Sequence, residues 1–205
     1  MSENAGRGVF FESVYRQAEG DAGRVPWADL KPKPQLVDWL AARRGAGARA
    51  IDIACGLGDN AEAIAAAGYD VTAFDLSADA IEWAKKRFAN SSVNYRVADL
   101  LAPPAEWAGG FDLVHECYTL QAVPPAMLEA MTRGVARLAA PGGTLLVYSR
   151  IRTDGAPVDG PPWPLQEREA MAFASLGFEL VSVERFANMR GEREIPHLFC
   201  EWRKA

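Results

Sequence analysis

Cysteine and histidine are scarce in this chain. Cys55, Cys117 and Cys200 are its three cysteines, and His115 and His197 its two histidines. The cysteines form no C-x-x-C pair, so neither a disulfide framework nor a zinc site is supported. Each lies in an apolar stretch and reads as a buried free thiol. Two distant histidines make no metal site, and no metal is expected. A surplus of positive charge is missing as well. The formal net charge is -5, which argues against nucleic acid as a partner, because phosphate binding leans on an excess of Lys and Arg. No apolar run approaches the roughly 20 residues of a membrane helix. The opening MSENAGRGVF lacks the basic-then-apolar order of a signal peptide. A cytoplasmic protein is therefore expected. Internal repeats and low-complexity tracts are absent too.

What remains is an ordinary globular composition, 49% hydrophobic and 24% charged over 205 residues, enough for one domain with a substantial core. That domain, 1–205, divides into an N-terminal cap and helix region (1–47), an alternating core (48–152) and a segment of loop and closing strands (153–205). FFESVYRQA (10–18) and QLVDWLAARR (35–44) read as helices flanking a Gly- and Pro-broken loop. From Ala48 the pattern alternates. Strands are expected at ARAIDIA, DVTAFDL, VNYRVAD (93–99), FDLVHECYT (111–119) and TLLVYSRIR (144–152). Helices are expected between them, one opened by Ser77 as N-cap and one ending at Pro141-Gly142-Gly143. TDGAPVDGPPWP is a loop, LQEREAMAFASLG (165–177) a helix, and FELVSVERFA with PHLFCEWRK an antiparallel pair. Such alternation predicts an α/β, Rossmann-like doubly wound fold. Its sheet is seven-stranded and mostly parallel, with an antiparallel last strand and helices on both faces.

In an open α/β sheet ligands gather beyond the carboxyl ends of the strands. The first of these strands runs into Ala54-Cys55-Gly56-Leu57-Gly58. Glycine permits positive φ and close backbone approach, and the next helix offers its N-terminal amides. Gly56, Gly58 and Ala61 satisfy a loose dinucleotide pattern, and a plain turn fits equally well. Three acids narrow the choice. Asp75 closes the second strand, where a carboxylate accepts from both ribose hydroxyls, or caps the next helix. Asp99 closes the third, where it can read an adenine amino group. Asp52 sits inside the first strand, where a buried acid is costly unless paired. It holds the glycine loop, meets an ammonium group, or is a satisfied structural acid.

Read together, Asp52-Ile53-Ala54-Cys55-Gly56-Leu57-Gly58, AFDLS, VADLL, FDLVHECY and APGGTLLV resemble, in order and spacing over about residues 48–152, the class I S-adenosylmethionine-dependent methyltransferases. The resemblance implies S-adenosylmethionine as cofactor and methyl transfer as the activity. By position it implies Asp52, Ala54, Gly56 and Asn60 around the methionine part. Asp75 would be the ribose ligand, with Leu76 against the adenine, and Asp99 and Leu100 the further adenine contacts. Glu116, after the fourth strand, would lie near the cofactor amino group and methyl, or orient the acceptor. The family's usual Thr or Ser near Asp59 is replaced here by Asp59-Asn60.

Two Pro-rich loops carry one tryptophan each, Trp27 in RVPWADL and Trp163 in GPPWPL. Each tryptophan packs on the sulfonium or the acceptor, where cation–π attraction suits a positive sulfur, or merely anchors its loop. The two segments are similar to methyltransferases of the thiopurine, thiol and halide type. This favours a small-molecule acceptor bearing S, O, N or halide, with no nucleic-acid or membrane partner. Tyr15, Glu116, Tyr118 and Trp163 are the expected acceptor contacts. The competing readings are a non-catalytic S-adenosylmethionine-binding module and a nicotinamide-dependent oxidoreductase.

Overall fold

The computed structural model describes residues 3–153 and 155–205. These form two compact units, Met1–Pro103 and Pro104–Ala205. The first begins with α1 (Glu3–Gln17) and α2 (Pro34–Ala41). It then alternates β1 (Arg49–Ile53), α3 (Asp59–Ala66), β2 (Asp70–Asp75), α4 (Ala78–Arg87) and β3 (Asn94–Val97). α1 starts seven residues before the expected 10–18. ENAGRGV carries two glycines and no apolar stripe, so periodicity alone did not reveal it. The strands lie in the order β3-β2-β1, all parallel, with Ala50 opposite Val71 and Ala73 opposite Tyr95. Ala50 to Ile53 are buried without interruption, the pattern of a strand covered on both faces.

The expected cap of α4 is present: Ser77 Oγ accepts from the Ala80 amide at 3.1 Å. Ser77 is buried, so water does not replace this bond when it is removed. Ser77→Ala is expected to cost about 1 kcal/mol in chemical denaturation; a change below about 0.3 kcal/mol would show the cap to be idle.

The second unit runs β4 (Phe111–Cys117), α5 (Pro125–Leu138), β5 (Ala139–Arg152), β6 (Leu165–Gln166), α6 (Glu167–Ala170), β7 (Phe178–Arg190) and β8 (Arg193–Lys204). Its strand order is β4-β5-β8-β7, and β8 is antiparallel to both neighbours, as the closing pair predicts. Both units are Rossmann-like α/β in pattern, parallel throughout except at β8. The seven expected strands are all present among the described residues, and β6 is an addition.

Three local expectations are corrected. Pro141-Gly142-Gly143 does not stand outside the strand: β5 already pairs at Ala139, opposite Phe111, and slips register before Leu113. Gly142 has φ +71°, and a Cβ on Gly143 would lie 2.8 Å from the Ala140 carbonyl oxygen. The segment is thus a glycine bulge within the ladder. The expected 165–177 helix shrinks to α6 and a 3-10 turn over Ala172–Leu176. Pairing with Ile151 and Arg152 holds Leu165 and Gln166 extended, so the helix cannot start there. β3 ends at Val97, which leaves Asp99 two residues beyond it. Among the described residues no helix is long and apolar enough to cross a membrane.

Candidate functional site

The glycine segment after β1 is a cradle of left-handed backbone. Ala54, Gly56 and Gly58 have φ of +50°, +52° and +92°. A run of this kind turns amide groups inward, and only glycine takes it without cost. Two tyrosines close on it. A Cβ on Gly56 would stand 3.2 Å from the Tyr15 hydroxyl, and one on Gly58 would fall on the hydroxyl of Tyr95. Tyr95 in turn donates to Glu62 Oε1 at 2.7 Å.

Asp75, the last residue of β2, is buried and faces this cradle. Its Oδ2 accepts from the Gly56 amide at 3.0 Å and its Oδ1 from the Ser77 amide at 2.9 Å. One side chain therefore ties the end of β2 to the glycine loop and to the start of α4. Burial pushes its carboxyl up to about 6, against these hydrogen bonds, and Asp52 pushes the same way. Asp52 itself is only 1% exposed, within β1. The Cys55 thiol is raised by burial, then by Asp75 and Asp52. The cradle thus carries a field of one sign, negative. It suits a ligand that brings hydroxyl donors and positive charge, and opposes a pyrophosphate. Asp75 also accepts from the Leu76 amide, so three amides hold a carboxylate that has about four acceptor sites, and acceptor capacity remains for a ribose hydroxyl.

Tyr15 lies on this side as well. Its hydroxyl accepts from Trp27 Nε1 at 2.8 Å, and the rings meet edge to face at 5.6 Å. Burial, then Asp75, raises its phenol well above the ordinary value. Trp27 packs on Phe11 too. Leu76 is half-buried and Leu100 buried, while Ala54 is exposed. Asn60 is spoken for: its Oδ1 accepts from the Lys33 amide at 2.9 Å and fastens the 31–34 segment to α3. Asp59 takes a bidentate grip from Arg87, at 2.7 and 2.8 Å, while the same guanidinium reaches the Leu57 carbonyl. The Asp-Asn pair thus serves as scaffolding on both flanks of the loop. Asp99 forms a local turn, its Oδ1 accepting from the Leu101 amide.

In the second unit, Glu116 is not beyond the fourth strand but inside it, and fully buried. Its Oε1 accepts from the Thr119 and Leu120 amides at 2.7 and 3.0 Å, capping the turn that follows. Tyr118 opens that turn with φ +65°, a position bulky residues rarely take. Its hydroxyl lies 2.7 Å from His197 Nε2, and Arg150 Cζ stands 5.4 Å over its ring. Burial first, and then Cys117, pushes the Tyr118 phenol up to about 12. Trp163 is half-buried, and its amide donates to the Gln121 carbonyl at 2.7 Å. Gln121 Oε1 accepts from the Arg150 amide, so the GPPW loop is tied to β5 through one side chain. His197, Arg150 and Gln121 were invisible to sequence reading. They come from three separate segments, and no spacing rule links them to Tyr118.

Comparison with known proteins bears on this geometry. Residues 50–143 match the family model described as "Methyltransferase domain". Over 126 residues the chain is 39% identical to the ubiquinone biosynthesis O-methyltransferase of Xanthomonas campestris pv. campestris (strain B100), covering 60% of this chain and 52% of that protein. The chain thus spans about half the length of the curated relatives it matches. Among solved structures, it resembles Burkholderia thailandensis 1,6-didemethyltoxoflavin-N1-methyltransferase with bound 1,6-didemethyltoxoflavin and S-adenosylhomocysteine. The TM-score is 0.73 at 21% identity, over 99% of this chain and 89% of that one. A structure from work on conversion of a disulfide bond into a thioacetal group during echinomycin biosynthesis aligns with TM-score 0.77 at 21% identity, over 96% and 92% of the two chains.

Proposed function

We propose that this chain, a class I S-adenosylmethionine-dependent methyltransferase by its matched domain and its fold, methylates a small-molecule acceptor. The observation that carries the reading is the buried Asp75 carboxylate at the end of β2, held against the glycine cradle by the Gly56, Ser77 and Leu76 amides. When bound, S-adenosylmethionine supplies an activated sulfonium methyl. Asp75 would accept from the ribose hydroxyls, with Leu76, Asp99 and Leu100 around the adenine. Asp52, Ala54, Gly56 and Asn60 would surround the methionine part. The negative field of Asp52 and Asp75 suits a cationic cofactor and disfavours a dinucleotide. Tyr15 and Trp27, packed against the same loop, would close over the cofactor rather than contact the acceptor. In the second unit Tyr118 and Trp163 would meet the acceptor, and Glu116 would hold the backbone that presents Tyr118. The relatives' names favour an oxygen acceptor over sulfur, nitrogen or halide. We read the chain as a single cytoplasmic domain.

Calorimetry with S-adenosylhomocysteine, followed by a screen of catechol, thiophenol, aniline and iodide with labelled S-adenosylmethionine, tests this. Micromolar binding and turnover on at least one acceptor are expected. Absence of binding overturns the cofactor assignment. Binding without turnover on any acceptor favours a non-catalytic binding module.

A further inference from the structure

We infer that Tyr118 and His197 form a two-residue proton relay that takes the proton of a hydroxyl acceptor, which makes a phenol or enol the substrate class. The inference rests on the methyltransferase reading above. Its geometry belongs to the second unit alone.

The tautomer of His197 follows from its neighbours. Nδ1 lies 2.7 Å from the Ile195 carbonyl oxygen, which can only accept, so Nδ1 carries the proton. Nε2 therefore presents a lone pair, and the Tyr118 hydroxyl donates to it at 2.7 Å. Asn188 Nδ2 donates to the Tyr148 hydroxyl at 2.8 Å and approaches Nε2 at 3.4 Å. Phe186 stacks on the imidazole at 5.5 Å and 19°, locking the ring plane. This is the orienting logic of a base held by a third group. His197 is 1% exposed and out of reach of a substrate, whereas Tyr118 is partly exposed. Tyr118 is thus the group that touches the acceptor, and His197 acts through it.

The proton path balances. The acceptor hydroxyl takes the place of the Tyr148 hydroxyl at Tyr118 Oη and gives its proton there as Tyr118 passes its own to Nε2, leaving an imidazolium. The freed oxygen lone pair forms the O–CH3 bond as the C–S bond breaks with its electron pair left on sulfur. Sulfur becomes neutral and the imidazolium keeps the positive charge. A thiol acceptor ionises near neutral pH unaided and has no use for such a relay, whereas a hydroxyl needs it. The strained φ of +65° at Tyr118 is what brings its hydroxyl to β8, where His197 pairs with Arg150 of β5 and Phe186 of β7. The charged and titratable groups facing the pair are Arg150 and Tyr148 from β5, both hydrogen-bonded to the Tyr118 side chain, and Cys117 from β4. Arg150 favours negative charge on the phenolic oxygens.

The test uses the full chain, with 4-nitrophenol as the binding probe and 4-methylphenol and 4-methylthiophenol as the two acceptor probes. Absorbance titration of bound 4-nitrophenol reads the proton relay without any methyl transfer. Wild type is expected to lower the ionisation midpoint of the probe below its value in solution, and Tyr118→Phe and His197→Gln each to raise it by about one pH unit. With S-adenosylmethionine present, both substitutions should lower kcat on 4-methylphenol, which like tyrosine ionises only near about pH 10, about 100-fold with KM within about threefold, and leave kcat on 4-methylthiophenol within about threefold. An unchanged midpoint, no binding of 4-nitrophenol, or equal losses on both acceptor probes overturns the relay. Failure of the underlying reading shows separately, as absence of S-adenosylhomocysteine binding to the wild type.

Discussion

Asp75→Ala is expected to weaken S-adenosylhomocysteine binding at least about 100-fold. Two hydrogen bonds to a carboxylate, at about 1.5–3 kcal/mol each, account for a loss of that size. The substitution also frees the Gly56 and Ser77 amides, so the cradle loosens together with the ribose contact. Asp75→Asn, which keeps the shape and one acceptor, should fall between alanine and wild type. The raised carboxyl adds a pH signature. Its folded value of about 6 stands above the ordinary 3.8, so the ligand-free protein is protonated at Asp75 near pH 5. A ribose needs the ionised form. Affinity is therefore expected to be flat above about pH 7 and to fall toward tenfold per pH unit below about 6, with proton release on binding in that range. The same shift acts on stability with a defined sign. A folded value above the unfolded one stabilises fully below about pH 4, and that contribution is lost as pH rises through 6. It amounts to at most about 3 kcal/mol, which bound cofactor would restore through its hydroxyls. Calorimetry from pH 5 to 8 reads the affinity; a profile without a break near 6 would remove Asp75 from the ribose.

Gly58→Ala is expected to destabilise the protein by about 2–4 kcal/mol, through two separable causes. The backbone there has φ +92°, which L side chains rarely adopt. The new methyl would also meet the Tyr95 hydroxyl, with ring carbon Cζ 3.1 Å away. Tyr95 cannot easily retreat, because it is buried and its hydroxyl is held by Glu62 from α3. Adding Tyr95→Phe removes the nearest atom but not the dihedral strain. The double variant should recover part of the loss, and a double-mutant cycle in urea would read the coupling. A loss below about 0.5 kcal/mol in the single variant would show that the loop relaxes freely and that the cradle is not rigid.

The two positions differ in the range of the contacts that define them. Asp75 was legible because it ends an apolar β-branched run and precedes a helix cap, two local signals on either side of one acid. Gly58 was legible as a turn, but the reason it must be glycine is Tyr95, on a strand that reaches it only through the β1-β2-β3 register. Asn60 was assigned by position to the cofactor and Asp59 only noted as a departure from the family's usual residue; what no spacing showed is that Lys33 and Arg87 also hold them, from 27 and 28 residues away. The bulge at Gly143 escaped for the same kind of reason, since its crowding comes partly from the Phe111 carbonyl across the ladder.

By itself the sequence determined the alternation of strands and helices, the antiparallel close and the placing of acids at strand ends. These depend on neighbours within a few residues, where hydrophobic period and caps act. Only the tertiary structure decided which polar atoms face one another. Asp75 reaches Gly56 across 19 residues, and Tyr118 reaches His197 across 79. A hydrogen bond is satisfied within about 3 Å or not at all, and strand register, which no local pattern encodes, sets that distance.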